Sequence, residues 1–247
     1  MNKQELKFEY GIRLIADDTI IKAESIDTIY SPFFNENVFI ILNPESDPNR
    51  FLNQLVTVTI WINGSEITEY LVIKAIEKFN NGCVLRYTRH DCDYEENLCS
   101  FAKDLYLYKD PKQKIWKGFN TLQKMQYLAT MLATVSWKRL IYPKEIILDG
   151  NEIDGHYDFY CELGFLLNFN QWGYFGWNLN ALDDCLLDLP KDTTIIWKNY
   201  NRSRMLIDTN SNSATGAEIC VYSSSGKSHA DYMCEILSEY INFERID

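Results

Sequence analysis

No apolar run in this chain approaches the roughly 20 residues that cross a bilayer. The 46% hydrophobic content is therefore spread through a globular fold, and no membrane association is expected. The first residues, MNKQELKFEYG, lack the apolar core of a signal peptide. The seven cysteines are scattered and odd in number, which excludes a complete disulfide framework and points to a reduced, cytoplasmic protein. There is no internal repeat and no low-complexity tract. The three histidines, His90, His156 and His229, are far apart. None belongs to a G-x-S-x-G or H-E-x-x-H motif, so no enzyme class is indicated.

Basic charge is also scarce, but only in one region. Residues 1–142 hold 17 Lys+Arg and 18 Asp+Glu, a net of −1. Residues 143–247 hold 7 and 17, a net of −10. Such a field repels nucleic acid and attracts a basic partner, although it also serves plain solubility.

What is present reads as an α+β protein. The first hundred residues carry strand signals. Leu6 to Ala16, Val38 to Leu42 and Leu55 to Ile62 are rich in β-branched or alternating apolar residues. Asn63-Gly64 predicts a hairpin returning through Glu69 to Ile76. A second turn at Asn80-Asn81-Gly82 leads into Cys83 to Thr88. This spacing predicts an antiparallel barrel or sandwich. Lys112 to Lys117 (KQKIWK) reads as a basic, exposed link, and Asn120 to Trp137 as a helix connecting two domains. The expected domains are 1–115, a connector over 116–142, and 143–247.

After Pro143 the pattern changes to a short buried strand (Glu145 to Leu148), a helix (Asp158 to Leu167, weakened by Gly164) and a second strand (Thr193 to Trp197). This order predicts a small parallel sheet with helical crossovers. Ala230 to Ile241 reads as an amphipathic helix with Met233, Ile236, Leu237 and Tyr240 on one side. Glu218 to Tyr222 reads as a strand, and Phe243 to Ile246 as a short strand or tail.

Between the two predicted strands lies Tyr174 to Leu186, YFGWNLNALDDCL. An aromatic, glycine-containing turn runs into a short helix that Asn178 can cap. Leu179, Leu182 and Leu186 form its apolar face, while Asn180, Asp183 and Asp184 lie off that face. Asp183 and Asp184 are adjacent, so they do not face each other as a catalytic pair would.

Two other constellations are weak. His90, Cys92 and Cys99 lack a second close pair of ligands, so no metal is expected. Gly226-Lys227-Ser228 stands between a predicted strand and a predicted helix. Val221 occupies the place where a phosphate-binding loop needs its first glycine. Nucleotide binding there stays open as an alternative function; a helix-start loop is the plain reading.

Residues 144–197 resemble the barstar family, the intracellular inhibitors of barnase-type ribonucleases. The resemblance rests on Lys144 to Ile153 (KEIILDGNEI), on Tyr174 to Leu186 and on Thr193 to Trp197. The middle piece is similar to the family pattern Y-[YF]-G-x-N-L-D-A-L-W-D-C-L. The resemblance implies a compact barstar-like α/β domain with no cofactor and no catalysis of its own. It implies an immunity protein or antitoxin that occludes the active site of a basic ribonuclease or related nuclease toxin. Asp184 would carry the central carboxylate. Tyr174, Phe175, Gly176, Trp177, Asn178, Leu179, Asn180 and Asp183 would surround it, and Glu235 or Glu239 of the last helix would add an acid. Asn180 stands where the family usually has an acid, and Asp183 where it usually has Trp. These departures point to a target other than barnase, or to a barstar-like interaction module that no longer inhibits a nuclease.

Overall fold

The computed structural model describes residues 7–16, 19–31, 36–89, 97–135, 141–211 and 227–247. The chain divides into two compact units, Met1–Lys109 and Asp110–Asp247.

The first unit is one antiparallel sheet of seven strands: β1 (Phe8–Leu14), β2 (Ile20–Ala23), β3 (Ser25–Ser31), β4 (Glu36–Leu42), β5 (Leu55–Ile62), β6 (Ser65–Phe79) and β7 (Gly82–Arg89). Their order is β2-β1-β5-β6-β7-β4-β3. The outermost strands β2 and β3 are joined through Glu24 alone, and β1 also touches β3, so the sheet curls until its edges meet. Of the two β architectures open from the sequence, this is the barrel-like one. The Asn63-Gly64 hairpin forms with both residues at positive φ, 51° and 87°, the signature of a tight two-residue turn. The return strand β6 is longer than expected, 15 residues, and absorbs an irregularity between Ile73 and Ala75.

A helix with no counterpart in the sequence reading follows: α1 (Leu98–Tyr108), packed on β5 and β6 through Leu98, Ala102 and Leu105. Asn97 gives it no side-chain cap. The buried carboxylate of Glu69 takes over and accepts the Cys99 backbone N–H at 2.7 Å. Cys99 is buried here with its thiol toward the carbonyls of Val58 and Ile67. His90 and Cys92 lie outside the described residues.

The second unit has a three-stranded parallel sheet of order β10-β9-β8, built from β8 (Glu145–Asp149), β9 (Thr194–Lys198) and β10 (Asn242–Ile246). Ile146 and Phe243 both align with Ile195, so the C-terminal segment is a strand rather than a tail. Among the described residues five α-helices accompany it: α2 (Thr121–Thr134), α3 (His156–Leu167), α4 (Leu179–Leu186), α5 (Tyr200–Ser211) and α6 (His229–Tyr240). Helix α2 carries an Asn120–Gln123 capping box and packs on α3, inside this unit. The core centres on Trp197, which is fully buried against Phe159 and donates its indole N–H to Ser203 Oγ at 2.9 Å.

The predicted exposure of Lys112 to Lys117 holds for Lys112, Gln113 and Lys117 but not for Trp116, while Lys114 and Ile115 are half-buried. Trp116 is fully buried between Tyr127 and Phe165, at ring-centroid distances of 5.4 and 5.2 Å. Lys114 pairs with the buried Glu162, and Lys117 with Glu152. Charge suggested solvent, but Lys114 serves the buried Glu162 of α3, and both lysines reach the half-exposed Glu152 that precedes it. The predicted strand Glu218 to Tyr222 and Gly226 lie outside the described residues.

Candidate functional site

The Tyr174–Leu186 stretch is shaped first by glycines. A Cβ on Gly164 of α3 would lie 2.6 Å from the Gly173 carbonyl oxygen, so helix and loop meet backbone to backbone. Gly164 is thus a packing residue; the sequence alone showed only its helix-weakening side. Gly176 has φ +89°, and a Cβ there would come within 3.0 Å of the Leu182 backbone nitrogen. This left-handed turn folds the loop onto the start of α4. Asn178 then caps the helix, accepting the Ala181 N–H at 2.8 Å. Leu179, Leu182 and Leu186 are buried, as their spacing predicted, and Cys185 is buried with them.

The expected partner-facing residues separate into two groups. Tyr174 and Phe175 are buried, 4% and 1% exposed, and Leu179 is buried with them. They shape the loop from beneath and present no ring to a partner. Burial, with Cys185 and Asp184 nearby, pushes the Tyr174 phenol well up, so it stays neutral. Trp177 and Asn178 are half-buried; Asn180 and Asp184 are exposed.

Helix α4 packs on α6, and this brings further acids to the same face. The Tyr240 phenol lies beside Asp183. Its pKa is raised first by a hydrogen bond to that carboxylate and then by the charges of Asp183, Glu239 and Asp184. Sequence periodicity had placed Tyr240 on the buried side of the last helix; it is half-buried, with its polar end at the junction. Neither Asp184 nor Glu239 has an ion-pair partner among the described residues. Glu235 differs, because Lys227 Nζ sits 2.6 Å from its carboxylate. Both Glu235 and Glu239 border a cleft of about 570 Å³ beside α6, with Lys227 and Arg245 on its wall. Of the two acids left open by the sequence, Glu239 is the uncompensated one.

The Gly226-Lys227-Ser228 alternative gains little. Lys227 is engaged by Glu235, and Ser228 caps α6, accepting the Asp231 N–H at 3.2 Å while Asp231 accepts the Ser228 N–H. Among the described residues no group of His, Cys, Asp and Glu is arranged to hold a metal. None of their helices is long and apolar enough to cross a membrane.

Sequence reasoning missed a contact under the loop. His156 opens α3 and His229 opens α6, with ring centroids 4.4 Å apart. The His156 ring is also hydrogen-bonded to the Trp177 backbone. Two histidines 73 positions apart carry no local signal of this meeting.

The family model of barstar (barnase inhibitor) matches residues 144–220. The match lies in the C-terminal part of the chain, and the matched family is one of inhibitors rather than enzymes. The matched stretch takes in β8 through α5 and the whole Tyr174–Leu186 segment. The first unit, residues 110–143 and α6 lie outside it. No curated protein matches the chain.

Proposed function

We propose that the second unit is an inhibitory module that binds a basic ribonuclease, or a related nuclease toxin, and occludes its active site. The chain would act as an immunity protein or antitoxin, without turnover or cofactor. One observation carries this reading. The segment that matches the barstar pattern carries Asp184, an exposed carboxylate with no cation beside it among the described residues. A nuclease active site must attract phosphate, so an unpaired carboxylate is its natural plug. The net charge of −10 over residues 143–247 favours rapid encounter with such a partner.

The test is inhibition of a purified barnase-type ribonuclease by the full chain, alongside growth rescue on co-expression. Asp184→Ala should weaken inhibition by at least about 2 kcal/mol, roughly thirtyfold, as expected for a central hot spot. Added salt should slow association more than it speeds dissociation. If Asp184→Ala inhibits like the wild type, the proposed surface is wrong. Asn180 and Asp183 favour a second reading, a module for a basic partner that is not a nuclease. Binding without inhibition would select it.

A further inference from the structure

Residues 110–118 precede the matched barstar stretch, yet they hold the segment that leads into the recognition loop. The Pro111 carbonyl accepts the Trp172 backbone N–H at 2.8 Å. The Gln113 carbonyl accepts the Trp172 indole N–H at 3.0 Å. The Asn168 side-chain amide donates to the Trp172 carbonyl. Both N–H donors and the carbonyl of Trp172 are thereby engaged, one residue before Gly173 meets Gly164 and two before Tyr174.

The holding segment is itself well anchored. Trp116 is fully buried against Tyr127 and Phe165, and Tyr127 meets the Trp172 ring edge-on at 6.3 Å. Lys114 reaches both Glu162 and Glu152, and Lys117 reaches Glu152. A segment held by a buried aromatic and several ion pairs is firm enough to impose its geometry on the loop that hydrogen-bonds to it.

We propose that residues 110–118 are a positioning element of the recognition loop. They hold Trp172, and through it Tyr174 to Trp177, in the conformation from which α4 presents its acids. Only the use of that conformation against a partner rests on the inhibitory reading; the positioning itself does not. A plain core-packing role would spread its effect over the whole unit, whereas a positioning role confines it to the loop.

The experiment uses the full chain carrying Trp172→Phe, which removes the indole donor and keeps an aromatic ring facing Tyr127. Backbone hydrogen exchange is followed by mass spectrometry. Exchange over residues 173–181 should accelerate about three- to tenfold, the worth of one net hydrogen bond, while β8, β9 and α6 stay unchanged. Unchanged loop exchange, or the same acceleration across residues 144–211, overturns the proposal. In parallel, binding to an immobilised, catalytically inactive barnase-type ribonuclease should show dissociation faster by a similar factor at an unaltered association rate, because no charge changes. If the wild type ignores that ribonuclease while loop exchange responds as stated, the inhibitory reading fails for that partner and the positioning element stands.

Discussion

Acidification should unfasten the second unit through His156. This ring is buried, faces His229 at 4.4 Å and opens a helix, whose N-terminus disfavours positive charge. Burial is the largest cause, and His229 adds to it; together they bring the His156 pKa from 6.5 down to about 3. His229 falls to about 4, mainly by burial, with Asp208 of α5 opposing. Between pH 6.5 and 3 the unfolded chain therefore binds a proton at this position that the folded chain refuses. Stability falls as pH falls through that window, and the contribution is complete only above the unfolded value. Well below 6.5 each unit of pH costs about 1.4 kcal/mol per histidine, so the drop from 6.5 to 4.5 removes about 2 kcal/mol through His156 alone. That is a large share of the roughly 5–15 kcal/mol that holds a domain.

The acids nearby complicate the raw curve. Asp158 and Glu162 are pushed up by burial against the pull of Lys124 and Lys114. They take up protons earlier in the folded state and so offset the histidines as pH falls. The measurement is therefore a difference: urea unfolding of the wild type and of His156→Gln, at steps from pH 7.5 to 4.5. Glutamine can still donate to the Trp177 backbone but cannot become cationic. Tryptophan fluorescence serves as the probe, since five of the six tryptophans lie in residues 110–247. Below pH 6 the wild type should lose about 1.4 kcal/mol per pH unit more than the variant. Parallel curves would refute the reasoning, because they would mean that His156 titrates alike in both states.

Two further substitutions test local claims. Gly164→Ala should destabilise the second unit although alanine is the better helix former by about 1 kcal/mol; its Cβ would sit 2.6 Å from the Gly173 carbonyl oxygen. Chemical unfolding reads the sign, and a gain in stability would contradict the backbone contact. Lys227→Ala breaks an exposed ion pair, so stability should move by less than about 1 kcal/mol. Because it frees Glu235, association with a basic partner should quicken at low salt, while calorimetry with ATP and GTP shows no saturable binding in either protein.

What could be read from the sequence was what is local. The Asn63-Gly64 turn, the apolar face of α4 and the Asn178 cap each need only a few consecutive residues, and each appears as expected. The barstar-like segment was legible for the same reason, since its pattern is contiguous. Helix α1 was missed because it follows an acidic run, has no side-chain cap of its own and borrows one from Glu69, thirty residues earlier. Helix α5 was missed because it is short of apolar residues; Ile207 and Ser203 are buried on it while Met205 is exposed. The lysines of KQKIWK looked solvated because their partners Glu152 and Glu162 lie 35 to 48 positions away. The burial of Tyr174 and Phe175 was equally hidden, since aromatic residues suit an interface and a core alike.

The two departures from the barstar pattern acquire a physical meaning once α6 is in place. An acid missing at Asn180 and an acid gained at Asp183 move one charge three residues along α4, about 4.5 Å of rise. The move also rotates that charge to the α6 side, where the Tyr240 phenol meets Asp183 and Glu239 stands close by. An aromatic side chain is thus present near position 183 after all, supplied by α6 instead of α4. The neutral phenol leaves Asp183 anionic, so Asp183, Asp184 and Glu239 keep their charges at this junction, while Glu235 is paired with Lys227. Screening confines each to about 8 Å at physiological salt. Under the proposed inhibitory reading, a partner would place its cations opposite the α4–α6 junction rather than along the start of α4, and a nuclease whose basic residues are set for an acid at position 180 would meet an uncharged asparagine there.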